Sequence, residues 1–586
     1  MIRSSNENDE SQANMEKIII TGDALTFAEV IKVACRNAPV ELGNLEKVRQ
    51  SRDFIARKVA ENAVVYGVTT GFGAKADRII SPDDAKELQI NLLRSHATGV
   101  GKNFSRRMVR AIMLIRLNTL VKGYSGVKVD TLERLRDFLN YQIHPLVPEQ
   151  GSLGASGDLC PLSHLALPLI NEGYVEYKDA EYKTAEFFAR LQADEFPDLK
   201  DAKDSLLQPF ELSYKEGLAL NNGTTVMAAL GTFAVYEFER LLKLATLTSS
   251  LMLEAFCARR NAFDEKIHAV RRHAGQAEIA RWIRKFTENS KFIGISREAL
   301  RAKSKTAEIE IEETDSVEKK KDFPEKLADL KCKTQDSYSL RCMPQIYGAS
   351  LQALNHAKEI FANELNAATD NPLIFVDEDE VLSGGNFHGQ PLAFALDYLK
   401  LAISEVGNLV ERQINKLHDP ATNDLLAPFM TYDERNINSG LMITQYVAAA
   451  LVSENKVLVH PASADSIPTS ANTEDHVSMG ATAGRQALQI LENVKNVIVI
   501  AILTAHHAAQ IRWNQFEKFG LETEMGEATA ELFAEVKKTI PDFQKKYSPD
   551  DEKYFLNNDR FLFDDINSLR DNYENFASIA ERNLEE

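Results

Sequence analysis

From Leu212 onward, apolar positions recur at helical spacing over long, proline-poor stretches: 213–256, 346–368, 390–418, 439–459 and 480–512. Such lengths exceed an average globular helix and predict a bundle of long helices. In 439–459, Val447, Leu451, Glu454 and Leu458 share one helix face, so Glu454 interrupts an apolar stripe. A buried carboxylate there needs a partner. Before Leu212 the pattern is mixed, and "KIIITG" and "NAVVYGVTTGFG" read as short strands and loops. Residues 174–209 are charged and rich in aromatics, and 302–333 contain "EIEIEETDSVEKKKDFPEK". Both read as solvated insertions or mobile loops. Residues 1–16 have a disordered composition. The expected layout is a disordered 1–16, an N-terminal region 17–212, a helical bundle 213–515 carrying the insertion 302–333, and a C-terminal helical region 516–586. No internal repeat occurs.

Composition narrows the function class. Apolar residues make up 44% of the 586 and charged residues 26%, which permits a large core. A net charge of -18 argues against a nucleic-acid partner, whose binders cluster Lys and Arg. The cysteines are Cys35, Cys160, Cys257, Cys332 and Cys342, without a CxxC pair. That pattern predicts a reducing compartment rather than a disulfide framework or a zinc site. The polar N-terminus has no apolar signal core, and the run Val497 to Thr504 is too short to span a membrane. A soluble cytoplasmic protein without a membrane partner is expected.

The chemistry concentrates in "GSLGASGDLCPLSH", Gly151 to His164. A phosphate loop would need GxxxxGK[ST], and no Lys follows these glycines. A dinucleotide fingerprint would need GxGxxG after a strand, but the spacing is GxxGxxG behind a proline-containing lead. A nucleophile elbow would need GxSxG, and Asp158 stands where the second glycine belongs. A Gly-rich turn without chemistry stays open beside a fourth reading. In a sharp bend, the Gly157 nitrogen can approach the Ala155 carbonyl carbon, unobstructed by side chains. Ring closure with loss of water, then loss of the Ser156 hydroxyl, would leave a methylidene-imidazolone (MIO), an electrophile made from the chain itself.

The stretch resembles the signature of the aromatic amino acid ammonia-lyases and aminomutases, which build MIO from Ala-Ser-Gly. The resemblance spans roughly residues 17–570 through "YGVTTGFG", "NLLRSHATGVG", "KEGLALNNGT", "TQDSYSLRCMPQ", "ELNAATDNPL", "SGGNFHGQP", "NSGLMITQYVAAALVSENK" and "HPASADSIPTSANTEDHVSMG". It implies a mainly α chain of the ammonia-lyase (fumarase/aspartase-like) fold, with an N-terminal MIO-bearing region and a core of long helices. It also implies a homotetramer whose sites draw on several chains. It makes Ala155, Ser156 and Gly157 the MIO precursor and Tyr66 the base. An ordinary tyrosine titrates near about 10, so that role calls for nearby positive charge or helix N-termini. Arg341 matches the group that grips the substrate carboxylate, a task suited to a guanidinium fork. Tyr338 and Gln335 match groups lining the MIO and substrate, and Phe387 an aromatic beside the MIO. Asn222 matches the amide bonded to the MIO oxygen. It is preferred over its neighbour Asn221 because it directly precedes Gly223-Thr224.

The side-chain pocket points to histidine. Ser95-His96 resembles histidine ammonia-lyase, where a phenylalanine enzyme typically has an apolar pair. Glu454 offers an imidazole the partner that a phenyl ring cannot use. "PTSANTEDHVSMG" is also similar to the histidine enzymes. Thr69 points instead to the phenylalanine and tyrosine branch, and the length at 174–209 and 302–333 exceeds compact bacterial histidine enzymes. The expected reaction is L-histidine to trans-urocanate and ammonia. The alternatives are a tyrosine or phenylalanine ammonia-lyase, an aromatic 2,3-aminomutase and, remotely, a non-catalytic helical scaffold. His506-His507 read as packing or polar-network residues. His388, His460 and His476 have no HExxH-type spacing, so no catalytic metal is expected, and without a phosphate-loop or dinucleotide motif no nucleotide is expected either.

Overall fold

The long apolar segments fold as helices in the computed structural model, which describes residues 16–73, 77–294, 335–423, 426–431, 437–518, 520–540 and 559–585. Thr225–Ala255, Met343–Leu365, Gln390–His418, Met442–Leu458 and Gly480–Lys518 correspond to the five periodic stretches. The first differs in one respect. It is split into Glu216–Asn221 and Thr225–Ala255, with extended backbone at Asn222 and a φ of +145° at Gly223. The insertion 302–333, Cys332 and nearly all of the N-terminal extension 1–16 lie outside the described residues.

The N-terminal region is more helical than its sequence suggests. Phe27–Arg36, Glu46–Ala60, Pro82–His96, Arg106–Val121 and Val129–Asn140 are helices, and the strands span only two to four residues. "KIIITG" does supply a strand, Ile18–Ile20, parallel to Val40–Leu42. "NAVVYGVTTGFG" instead forms a turn with one isolated bridge, Thr70 to Ile79.

Residues 174–209 also depart from expectation. Tyr174–Tyr177 and Ala180–Lys183 form a hairpin whose two turn residues, Lys178 and Asp179, both have positive φ. That turn geometry suits the twist of paired strands. His144–Pro145 adds a third strand, and helix Thr184–Gln192 follows. Phe187 stacks on Phe196 at 5.1 Å, with Tyr177 edge-on to both. The aromatics make this segment a packed subdomain, and its charges merely coat the outside.

The chain forms two compact units. Among the described residues, one comprises those within 1–236, 356–397 and 461–488, and the other those within 237–355, 398–460 and 489–586. In the first, Arg106–Val121 packs against Phe27–Arg36 and Val129–Asn140 and is buried from Met108 to Val121. Pro82–His96, Leu159–Ala166 and Glu216–Asn221 pack on one another. Near them, Lys215 Nζ meets Asp370 Oδ2 at 2.6 Å, both side chains fully buried, while Ser125 Oγ donates to Asp370 Oδ1 at 3.0 Å. Removing one partner would strand a buried charge. Lys215→Met is expected to cost about 3–5 kcal/mol of unfolding free energy, read by urea titration, and the pairwise change Lys215→Met/Asp370→Leu distinctly less. An additive double variant would sink this account.

In the second unit, Ser249 Oγ donates to Gln413 Oε1 at 2.7 Å and lies 3.0 Å from the Tyr347 hydroxyl. Gly407 lets helix Gln390–His418 approach Val494, which a Cβ there would meet at 2.9 Å. His506 and His507 are buried, and burial pushes His506 down to about 3 and His507 well below its usual range, so both pack as neutral rings. Gly480–Glu517 is long and apolar enough to cross a membrane, but 72% of its apolar window is buried inside the protein, which marks a core helix. The described cysteines form no disulfide.

Candidate active site

The turn Gly154-Ala155-Ser156-Gly157 lies in the first unit, held against a break in another helix. Gly154 and Gly157 both have left-handed φ, +71° and +76°. A Cβ on Gly157 would come within 2.2 Å of the Gly223 carbonyl oxygen, and one on Gly154 within 2.3 Å of Ser478 Oγ. Only glycine permits both approaches. Gly157 bridges to Gly223, and Asp158 N donates to Gly223 O at 2.7 Å. The helix breaks at Asn222-Gly223 because this strand-like contact takes its place.

Asp158 locks the turn from behind. Its carboxylate accepts from Ser152 Oγ (2.7 Å) and from the first-turn amides Val226 N (2.8 Å) and Met227 N (3.0 Å). It thereby caps helix Thr225–Ala255, whose N-terminus favours negative charge. Full burial still pushes its carboxyl up to about 6. Arg116, equally buried and lowered to about 10 by desolvation, donates to Ala219 O and, at 2.8 Å, to Asn222 O. Thr224 Oγ1 donates to the half-buried Glu364.

The two adjacent asparagines have different partners. Asn222 Nδ2 donates to the Ser156 carbonyl oxygen at 2.8 Å, whereas Asn221 Nδ2 donates to Ser163 Oγ at 3.0 Å. The Ser156 hydroxyl donates to Glu474 Oε1 at 2.5 Å. Sequence reasoning did not single out Glu474. In "TSANTEDH" a glutamate reads as one more solvated loop charge, and only membership of a family-like block marks the segment.

Tyr66 lies on the neighbouring turn, half-buried, its hydroxyl accepting from Gly73 N at 3.2 Å. Buried Gln89 ties that turn to the Asn222 segment, with Nε2 on Gly67 O (3.3 Å) and Oε1 on Leu218 N (3.0 Å). Thr69 spends its hydroxyl on the same turn, donating to Ala63 O (2.7 Å) and accepting from Val65 N (2.8 Å). Ser95 and His96 end helix Pro82–His96. His96 Nδ1 donates to Leu92 O at 2.8 Å, which in a neutral ring leaves Nε2 to accept, and Ser95 Oγ lies 3.0 Å from Nδ1. Beyond them, Gly99 N donates to His164 Nε2 (3.0 Å), and Val100–Asn103 pairs with Pro148–Gln150, the strand leading into Gly151. Phe387 is half-buried on a loop whose next residue, His388, donates through Nε2 to His476 O at 3.3 Å. The first unit thus gathers the Ala155-Ser156-Gly157 turn, Asn222 and the loops of Tyr66, Ser95-His96 and Phe387.

Gln335, Tyr338, Arg341 and Glu454 belong to the second unit. Asp336 Oδ2 accepts from Arg259 N (2.7 Å) and Gln413 Nε2 donates to Ser339 O (2.8 Å), fixing the short helix Tyr338–Arg341. Arg341 Nε donates to Asp336 O at 2.9 Å, and its guanidinium lies 4.7 Å from the centre of the Tyr338 ring, which is 69% exposed. Gln335 is exposed. Glu454 corrects an expectation: it is exposed, and Val447 on its stripe is 45% exposed. The buried residues of that helix are Thr444, Ala448 and Asn455, so among the described residues the face bearing Glu454 is left exposed. Among the described residues, no group of three or more His, Cys, Asp or Glu side chains could hold a metal ion.

Comparison with known proteins places the chain in a family. The family model described as "Aromatic amino acid lyase" matches residues 25–538. The chain is 44% identical over 526 residues to "Histidine ammonia-lyase" of Geobacillus thermodenitrificans (strain NG80-2), covering 89% of this chain and 93% of that one. Among solved structures, histidine ammonia-lyase from Trypanosoma cruzi aligns with a TM-score of 0.78 at 31% identity, over 97% of this chain and 96% of that one. Tyrosine aminomutase from Streptomyces globisporus aligns with a TM-score of 0.81 at 33% identity, over 97% and 99%.

Proposed function

Because the chain belongs to the aromatic amino acid lyase family, we propose that it is a carbon–nitrogen lyase that eliminates ammonia from L-histidine to give trans-urocanate. The reading rests chiefly on the identity to histidine ammonia-lyases along nearly the whole chain. The residues at the turn fit an MIO made from Ala155-Ser156-Gly157. Two positive-φ glycines permit the sharp bend, and Asn222 Nδ2 bonds the carbonyl oxygen that the ring would retain. MIO would supply an electrophilic carbon that makes the substrate amine a better leaving group.

The chain's own residues supply the remaining tasks. Ammonia leaves poorly and the β-proton is weakly acidic, so a base is needed. Tyr66 takes that proton, on a turn that Gln89 fixes beside the Asn222 segment. Arg341 holds the substrate carboxylate as a bidentate donor, with Tyr338 and Gln335 beside it. Phe387 provides an aromatic wall. His96 offers Nε2 to the imidazole alongside Ser95, and Glu454 pairs with the ring's other nitrogen. Thr69, the residue that points to the phenylalanine and tyrosine branch, commits its hydroxyl to its own turn and so does not read the substrate.

A homotetramer accounts for the open apolar faces. Tyr398 and Leu401 on one helix, and Ile443, Tyr446, Val447 and Val457 on another, are each 45–70% exposed. The groove between these helices includes Leu401, Val452 and Val459. A soluble cytoplasmic enzyme would bury such faces against further copies. Glu454 lies on this surface and would be covered with it.

A substrate panel tests the assignment. Urocanate absorbance should grow with histidine and no comparable product form from tyrosine or phenylalanine. Turnover of tyrosine alone, or a β-amino acid product, would sink the histidine lyase reading. In the same panel, Glu454→Gln should cut kcat/KM for histidine by about 10²-fold, the loss expected when a buried charge partner disappears. Unchanged kinetics would remove Glu454 from the pocket.

A further inference from the structure

Glu474 touches the one hydroxyl that must leave if Ser156 becomes part of an MIO. Its Oε1 accepts from Ser156 Oγ at 2.5 Å, and its Oε2 accepts from Thr469 Oγ1 at 3.2 Å. The carboxylate is held rather than free to swing. Thr469 N donates to Glu474 O (2.9 Å) and Glu474 N to Thr469 O (3.3 Å), closing a six-residue loop. Four residues on, Ser478 donates to Gly154 O through both N (3.2 Å) and Oγ (3.0 Å), and Met479 N donates to Leu153 O (3.1 Å). The loop bearing Glu474 is therefore stapled to the turn that must be modified.

Resting on the MIO reading above, we propose that Glu474 is the acid–base group that removes the Ser156 hydroxyl during maturation. Two dehydrations make the group. In the first, Gly157 N bonds to the Ala155 carbonyl carbon. The Gly157 and Ser156 amide protons leave with the Ala155 oxygen as water, and a C=N bond forms. In the second, the Ser156 Cα–H breaks and its electron pair becomes the second bond of Cα=Cβ. The Cβ–Oγ bond breaks, and its pair leaves with oxygen. Glu474 takes the Cα proton, which the adjoining carbonyl makes acidic, and passes it to the departing Oγ. One water is lost, the carboxylate is regenerated, and no oxidant is needed. Asn222 Nδ2, on the Ser156 carbonyl oxygen, stabilises the charge that develops as the Cα proton leaves.

Intact mass of the full-length chain under denaturing conditions separates the steps. The unaltered chain is expected two waters below its sequence mass. Glu474→Gln keeps an acceptor for Ser156 and a neighbour for Thr469 but has no proton to relay. It is expected to fold, checked by circular dichroism and native size. It should accumulate one water short of the sequence mass, its second loss slowed by about 10²-fold, the usual worth of general acid–base assistance. Glu474→Asp keeps the acid and should complete the second loss faster than the Gln variant. If the unaltered chain has lost no water, the MIO reading itself fails. If it has lost two and Glu474→Gln also loses two at the same rate, the reading stands and the role of Glu474 falls. A Gln variant that loses neither water, or one that matures indistinguishably from the Asp variant, would equally overturn that role.

Discussion

Replacing Ser156 with alanine is expected to lower kcat for histidine by about 10³-fold or more, equivalent to roughly 4 kcal/mol of lost transition-state stabilisation. The reasoning starts from the bond that must break. The substrate amine is expelled as ammonia only if something withdraws its electrons, and the reading gives that task to a carbon derived from Ser156 Cβ. Alanine has no Oγ to lose, so the second dehydration is impossible and the intact mass can never reach two waters below sequence. The substitution spares what builds the turn. Gly154 and Gly157 keep their positive φ, Asp158 keeps its cap on helix Thr225–Ala255, and Asn222 keeps the carbonyl oxygen. Only the bond to Glu474 is lost, at a half-buried hydroxyl, so stability should shift by no more than about 1 kcal/mol. A folded Ser156→Ala chain retaining a tenth or more of the activity would end the electrophile reading.

How far the sequence reveals the molecule depends on where its physical cause lies. The five long helices are legible because each must bury an apolar stripe that recurs at its own period. Arg106–Val121 is not, since it is buried almost all round, Arg110 and Arg116 included, and carries no polar face to set a period. The break at Asn222-Gly223 is equally hidden. Nothing local requires it, and its cause is the approach of Gly157, far earlier in the chain. At 174–209, charge dominates the composition while the stacked Phe187 and Phe196 decide the structure. In the site, Ala155-Ser156-Gly157 stands out because small residues cluster for a reason. Glu474 does not, because a loop carboxylate acquires meaning only through the hydroxyl it meets. Glu454 shows the opposite error. An apolar stripe promises burial, but the chain alone need not supply it, and here that face is open.

The doubled asparagine gives the sharpest test of the site, because adjacent identical side chains have different partners. Asn222→Ala is expected to lower kcat by about 10²–10³-fold, the usual loss when one donor to a developing oxyanion is removed. Its Nδ2 donates to the Ser156 carbonyl oxygen, and its own carbonyl is fixed by the buried Arg116, so the donor is aimed before substrate arrives. Such preorganisation matters most for charge that appears during reaction, so the loss should fall on kcat more than on KM. Asn221 is as deeply buried, but its Nδ2 serves Ser163 on helix Leu159–Ala166. Asn221→Ala should therefore leave kcat near that of the unaltered chain and cost about 1–3 kcal/mol of stability, the penalty for a buried partner left unsatisfied. Steady-state kinetics and urea titration on both variants distinguish the roles. A fall in kcat for Asn221→Ala as large as that for Asn222→Ala would mean that the helix break as a whole, and not the Asn222 amide, supports the reacting turn.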